Sequence, residues 1–245
     1  MIYLHIGTSK TGTTSIQRAL YDNRPVLRSK EYFYPQYGIE LWGHHNIYYE
    51  LAGNELYKPE FGSFEQLVKR IGEYKSECPD GHVILSSETF CGATPDVLSI
   101  LRDALLPYDE ITIIGYYRRQ DRYLASFWKM YVSMGQMDKT FEDWATECIT
   151  ANRYSLFYDR QIGKFERLFG DDNLTICVYD DIDKASFLRY FMKQCGVEDF
   201  DGMKEPVIRH NQYDLRPLPK ELRACLLYTS PSPRDATLSR MPSSA

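Results

Sequence analysis

The chain has 245 residues, 43% hydrophobic and 26% charged, with a formal net charge of -5, which suits one globular domain with a substantial core. The negative balance excludes binding of nucleic acid by bulk basic charge, so any anion site must come from local placement of Lys and Arg. No stretch approaches the ~18 apolar residues of a membrane span and no charged leader precedes an apolar run, which predicts a soluble, cytoplasmic protein.

The first element is a short apolar strand, Ile2 to Ile6, followed by Gly7-Thr8-Ser9-Lys10-Thr11-Gly12-Thr13-Thr14 and a helical pattern over Ser15 to Ser29. Strand, glycine-bearing loop and helix together form an anion cradle. Glycine lets backbone amides approach an anion closely, and the helix presents unpaired N–H groups and the positive end of its dipole. The Gly7 to Gly12 spacing fits a Walker A loop, but Thr13 and Thr14 stand where Lys and Ser/Thr are required, and the lysine has moved into the loop as Lys10. The structural alternative is a Gly/Thr-rich turn with no ligand.

Tyr32-Phe33-Tyr34-Pro35 predicts a short strand stopped by proline, and Trp42 to Leu51 a loop, holding His44 and His45, that enters a short helix. Ser63 to Glu77 has Phe64, Leu67, Val68 and Ile71 at helical spacing, with Ser63 and Gln66 as a capping box. His82 to Ser87 reads as a strand ending in Glu88, Asp96 to Leu106 as a helix stopped by Pro107, and Ile111 to Tyr117 as a strand running into Arg118. Helices follow to about residue 169, then a strand over Leu174 to Tyr179 and a helix over Ser186 to Gln194. Gly202 to Pro219 reads as a loop and Lys220 to Leu227 as a last helix. The domain is expected over residues 1–225. Residues 226–245 are rich in Ser and Pro and read as a disordered tail. Their wording resembles translated adapter sequence, which predicts a non-native tail on a domain truncated near Cys225.

Alternating strands and helices predict an α/β domain with a central parallel sheet and helices on both faces. Right-handed crossovers place the loops after the strands on one edge, where ligands bind in such folds. That edge would gather Lys10, Glu88 and Arg118. The six cysteines show neither C-x-x-C nor zinc spacing and read as reduced, buried residues, with no metal site. The 20 tyrosines suit a sugar-binding cleft or an ordinary core.

Arg118 ends a strand, and Ser126 follows eight residues later, nearly two turns into a helix that begins near Gln120. An arginine and a hydroxyl so placed can grip a phosphate; Arg118-Arg119 as a solvated charge pair is the plainer reading. Together, H-I-G-T-S-K-T-G-T-T-S-I-Q and Y-Y-R-R-Q-D-R-Y-L-A-S-F resemble the two signatures of sulfotransferases that use 3′-phosphoadenosine 5′-phosphosulfate (PAPS), with bacterial carbohydrate-type members most similar. The resemblance extends more loosely from Met1 to about Leu222.

The resemblance implies a P-loop nucleotide-kinase-like three-layer fold and sulfuryl transfer from PAPS as co-substrate, without a required metal, to a hydroxyl of a carbohydrate-type acceptor. It implies that Lys10 meets the 5′-phosphosulfate and the leaving phosphate. Thr11, Gly12, Thr13 and Thr14 would cradle that phosphate, and Arg118 and Ser126 would hold the 3′-phosphate. Many members carry Asp or Asn and Pro where this chain has Arg119 and Gln120. Arg209, with His210 and Asn211, is a further candidate for phosphate or adenine. Transfer also needs a base for the acceptor proton. Glu88 faces the right edge and ranks first. His45 and His44 are the alternatives, since imidazole titrates near neutrality. Capping for Glu88 and packing for each histidine are the structural readings. His5, inside the first strand, reads as a packed residue.

Two rivals stand beside this reading. A P-loop nucleotide kinase or NTPase would need a lysine at position 13. A non-catalytic nucleotide-binding protein would keep the loop without the chemistry. The oligomeric state is not encoded in any pattern found.

Overall fold

The structure is a computed structural model that describes residues 1–151, 153 and 156–204. The predicted last helix, Arg209, His210, Asn211, Cys225 and the tail lie outside the described residues.

Five strands form one sheet: β1 Ile2–His5, β2 Tyr32–Phe33, β3 His82–Ser86, β4 Ile111–Tyr117 and β5 Leu174–Val178. Their order is β2-β3-β1-β4-β5, and every pairing is parallel. The register sets His5 beside Ser86 on one side and Ile114 on the other. The predicted strands recur to within a residue or two.

Nine α-helices lie in the described residues: α1 Thr13–Asp22, α2 Arg24–Ser29, α3 His45–Leu51, α4 Phe64–Glu77, α5 Pro95–Leu105, α6 Gln120–Ser133, α7 Phe141–Thr150, α8 Tyr158–Phe169 and α9 Phe187–Gln194. Local chemistry fixes several starts. Ser63 and Gln66 form the expected capping box on α4, and Thr94 and Thr140 cap α5 and α7 with their side chains. The single helix expected over Ser15 to Ser29 is instead two. Asn23 caps the end of α1 through Ala19 O, and Pro25, which has no N–H to donate, restarts the chain as α2.

Strand alternation splits the core into two apolar layers. Ile2, Leu4, Val83, Leu85, Ile111 and Ile113 pack under Leu67, Ile71, Leu98, Leu101 and Phe165 of α4, α5 and α8. Tyr3, Ile84, Ile114 and Tyr116 face Ile16, Leu20, Leu27, Leu188 and Phe191 of α1, α2 and α9. Helices therefore cover both faces, and the strands read as apolar runs because neither face meets water. Each fully buried Leu, Ile or Phe contributes about 1.5–3 kcal/mol. α6 and α7 form a smaller cluster of their own around Leu124, Trp144 and Cys148.

This order creates a switch point. The connection leaving β1 runs toward β2 on one side of the sheet, and the one leaving β4 runs toward β5 on the other. A crevice opens between their carboxyl ends, where open α/β sheets bind ligands. The loop after β1 and the turn after β4 flank it.

Candidate active site

The loop after β1 is held to the sheet. Thr8 donates its N–H to Tyr116 O at 2.7 Å, extending the β1–β4 ladder, and its hydroxyl reaches the same carbonyl at 3.2 Å. The Thr11 hydroxyl, fully buried, donates to Thr8 O. Gly7, Lys10 and Gly12 have φ of 65°, 65° and 78°, so the loop turns through the left-handed region three times in six residues. A side chain at Gly7 would meet Glu88 Cβ at 2.8 Å, and one at Gly12 would meet Phe187 Cε1 at 2.6 Å. The glycines therefore let β3 and α9 close on the loop. α1 begins directly after Gly12 with no side-chain cap and no acidic residue in its first turn, so its dipole meets no fixed negative charge from its own sequence. Thr13 is buried and Thr14 exposed.

Lys10 and Arg118 meet across the crevice. Arg118 Nη1 donates to Lys10 O at 3.3 Å. Lys10 Nζ lies 3.7 Å from Met130 Sδ and 5.9 Å from the centre of the Phe127 ring, and makes no ion pair among the described residues. Burial, helped by the Arg118 charge, pushes its pKa below the usual lysine range. A half-buried ammonium without a carboxylate is poised for an anion. Arg118 is itself oriented by neighbours: Tyr158 Oη donates to its carbonyl at 2.8 Å, and Asp180 Oδ1 lies 3.4 Å from its Nε. Asp180 also binds Arg122 Nη1 at 3.0 Å and the Arg119 N–H at 3.0 Å. Ser126 sits on α6, which begins at Gln120 as expected, and is partly buried.

Glu88 opens the turn after β3. Its Oε2 accepts from Gln17 Nε2 at 2.7 Å and lies 3.8 Å from His45 Nε2. The other ring nitrogen of His45, Nδ1, is 2.7 Å from Ser87 Oγ, which is 2.6 Å from Thr89 Oγ1. Gly43 makes room for this group, since a side chain there would meet His45 Nε2 at 2.7 Å and Gln17 Nε2 at 2.8 Å. A cleft of about 290 Å³ opens beside Glu88, lined by Thr8, Ser9, Thr89, Tyr48 and Phe127 among others. It has the polar and aromatic mixture of a small-ligand site.

His44 and His45, adjacent in sequence, part company. The Ser86 N–H donates to His44 Nδ1 at 3.2 Å, and His44 Nε2 faces Pro35 O at 3.0 Å. Burial lowers its pKa to about 3. His44 is thus a neutral strut at the start of α3, whose first residue is His45, while His45 faces Glu88. His5 is fully buried against Phe191 and Tyr116. Gln17, Ser87 and Asp180 were not singled out from sequence. Gln17 stands inside the first signature, and Asp180 follows a predicted strand just as Glu88 does. That equivalence of place was the available signal. Among the described residues no group of three or more His, Cys, Asp or Glu is arranged to hold a metal, and no helix is long and apolar enough to cross a membrane.

No family model matches the chain, and no curated protein matches it in sequence. Its fold matches that of a solved sulfotransferase from Alicyclobacillus acidocaldarius with a TM-score of 0.57, covering 93% of this chain and 90% of that one at 14% identity. The two share a P-loop-like fold with a central parallel sheet.

Proposed function

We propose that this protein transfers a sulfuryl group from PAPS to a hydroxyl of a carbohydrate-type acceptor in the cytoplasm. The observation that carries the reading is the meeting of Lys10 and Arg118 at the switch point, 3.3 Å apart through Nη1 and the Lys10 carbonyl. One cation then serves the 5′-phosphosulfate and the other the 3′-phosphate of the same nucleotide. Lys10 and the amides of Thr11, Gly12, Thr13 and Thr14 hold the 5′ end. The Thr11 hydroxyl is spent inside the loop, so Thr11 offers its backbone only. Arg118, steadied by Asp180, and Ser126 hold the 3′ end; Arg209 belongs to this reading as a further contact. The left-handed loop, the uncapped start of α1 and the unpaired Lys10 ammonium fit a bound phosphosulfate.

Glu88 takes the proton of the acceptor hydroxyl as that oxygen bonds to sulfur. The bond between sulfur and the bridging oxygen breaks, and Lys10 neutralises the charge left on the departing phosphate. The products are a sulfate ester, adenosine 3′,5′-bisphosphate and a proton on Glu88. His45, 3.8 Å from Glu88, is placed to receive that proton. Thr13 is buried and packed on Gly7, which leaves no lysine there for the β/γ-phosphates of a kinase reaction.

The test is transfer of radiolabelled sulfate from PAPS to a panel of saccharides. Label in a saccharide with wild type, lost in Lys10→Ala, is the expected result. Equal incorporation by wild type and a folded Lys10→Ala would overturn the assignment.

A further inference from the structure

A second cavity lies outside the cleft just described. It is a groove of about 650 Å³ beyond the outer strand β2, between the α1–α2 junction and α4. It sits at the carboxyl end of β2, the same sheet edge that carries Glu88. Three guanidiniums line it, those of Arg24, Arg28 and Arg70, against one carboxylate, Asp22. Glu77 and Glu73, outside the lining, pair with Arg28 and Arg70, which leaves Arg24 as the guanidinium of the groove with no ion pair among the described residues.

The three arginines are not equivalent. Arg24 stacks 3.8 Å from the centre of the Tyr21 ring, with its Nε on Tyr21 O at 3.2 Å, and makes no ion pair among the described residues. Arg28 lies 4.1 Å from the centre of the Tyr74 ring. One of its amino groups pairs with Glu77 at 2.8 Å, but Nη1 is buried with no hydrogen-bond partner. Arg70 stands 5.5 Å over Phe33 and pairs with Glu73 at 3.0 Å. Asp22 is drawn to Arg18 at 3.6 Å. The groove therefore holds one guanidinium without an ion pair among the described residues, Arg24, with Arg28 beside it. Stacking on Tyr21 fixes the planar fork of Arg24 and leaves its edge for a carboxylate or sulfate.

The rest of the wall is aromatic: Tyr21, Phe33, Tyr34 and Tyr37. Flat rings beside fixed cations suit a ligand with an apolar C–H face and an anionic substituent. Tyr34 links the groove to the site. Its ring packs edge-on against His44 with centres 4.7 Å apart, its hydroxyl donates to Trp42 O at 2.7 Å, and burial, helped by the nearby Glu88 charge, pushes its pKa up.

We infer that this groove binds a sugar acid, a saccharide unit carrying a carboxylate that Arg24 holds while the aromatic wall covers its ring. Describing that unit as part of the acceptor rests on the sulfuryl-transfer reading; the binding itself does not. On that reading the charged unit would set which saccharide enters.

The probe is D-glucuronate, titrated by ligand-observed NMR against wild type, Arg24→Ala, Arg24→Lys and Lys10→Ala, each checked for an unchanged melting temperature. D-glucose and inorganic sulfate serve as neutral and purely ionic controls. Saturable glucuronate binding is expected, weakened about tenfold or more in Arg24→Ala, less in Arg24→Lys, and unchanged in Lys10→Ala. Glucose binding equally well would overturn the role of Arg24, and sulfate matching glucuronate would overturn the saccharide. Loss in Lys10→Ala with retention in Arg24→Ala would put the anion in the loop and not in the groove. A separate titration with adenosine 3′,5′-bisphosphate reports on the nucleotide site, so a failure there and a failure here are told apart.

Discussion

Gln17 and Glu88 lie 71 positions apart in sequence and are joined by a 2.7 Å hydrogen bond from Nε2 to Oε2. Gln17 is almost fully buried on α1, so the helix that starts at the loop after β1 also aims the carboxylate that opens the turn after β3. The proposed phosphosulfate loop and the proposed base are thereby fixed by one rigid element.

Removing that hydrogen bond should disturb orientation more than binding. Gln17→Leu is expected to lower kcat about tenfold to a hundredfold with KM nearly unchanged. Glu88→Gln should cost roughly 10²–10⁴ in kcat. Steady-state kinetics on a saccharide acceptor measures both. A Glu88→Gln variant that retains full turnover removes Glu88 as the base.

Gly12 has φ of 78°, and a side chain there would meet Phe187 Cε1 at 2.6 Å. Gly12→Ala should therefore destabilise the fold by about 1–3 kcal/mol, seen as a lower urea midpoint. It should also abolish nucleotide binding, because α9 must move away from the loop. An unchanged midpoint contradicts the close packing of loop and helix.

Lys10 gives a pH signature. Burial and Arg118 depress its pKa in the free protein, below the ~10.4 of an unfolded lysine. Between the two values the unfolded chain binds more protons, so Lys10 makes stability rise with pH across that window. A bound phosphate reverses the preference and raises the lysine pKa. Binding of adenosine 3′,5′-bisphosphate at alkaline pH should then take up protons, read by calorimetry in buffers of different ionisation enthalpy. Lys10→Met should lose that uptake.

Acid sensitivity has a separate source. His5 and His44 are both buried, and burial holds each pKa near 3, against ~6.5 unfolded. The folded values are depressed, so the stability they carry is present above the unfolded value and is lost as pH falls toward 3. Urea midpoints should drop between about pH 7 and pH 5, and the drop should shrink in His5→Asn. An equal drop in wild type and variant would exclude His5 as a cause.

The strands were readable because both faces of the sheet are buried, which turns each into an unbroken apolar run such as Val83-Ile84-Leu85. The turn of the loop after β1 was readable from glycines whose backbone angles few other residues adopt. Arg118 was readable because strand ends fall on one edge in a parallel sheet. The split between α1 and α2 went unread, although Pro25 and Asn23 marked it, because the apolar spacing continues through both. His44 and His45 could not be separated by sequence. Their opposite directions depend on Pro35, Ser86 and Ser87, which only the folded chain brings near. Gln17 was hidden for the same reason, since its partner Glu88 lies in the turn after β3, far away in sequence.

The central claim is that Lys10 and Arg118 grip one nucleotide across the crevice between β1 and β4. Calorimetric titration with adenosine 3′,5′-bisphosphate tests it most directly. Wild type should bind one equivalent, and Lys10→Ala and Arg118→Ala should each weaken binding by about tenfold or more while remaining folded. No binding by folded wild type, or binding that both variants retain undiminished, would contradict the account.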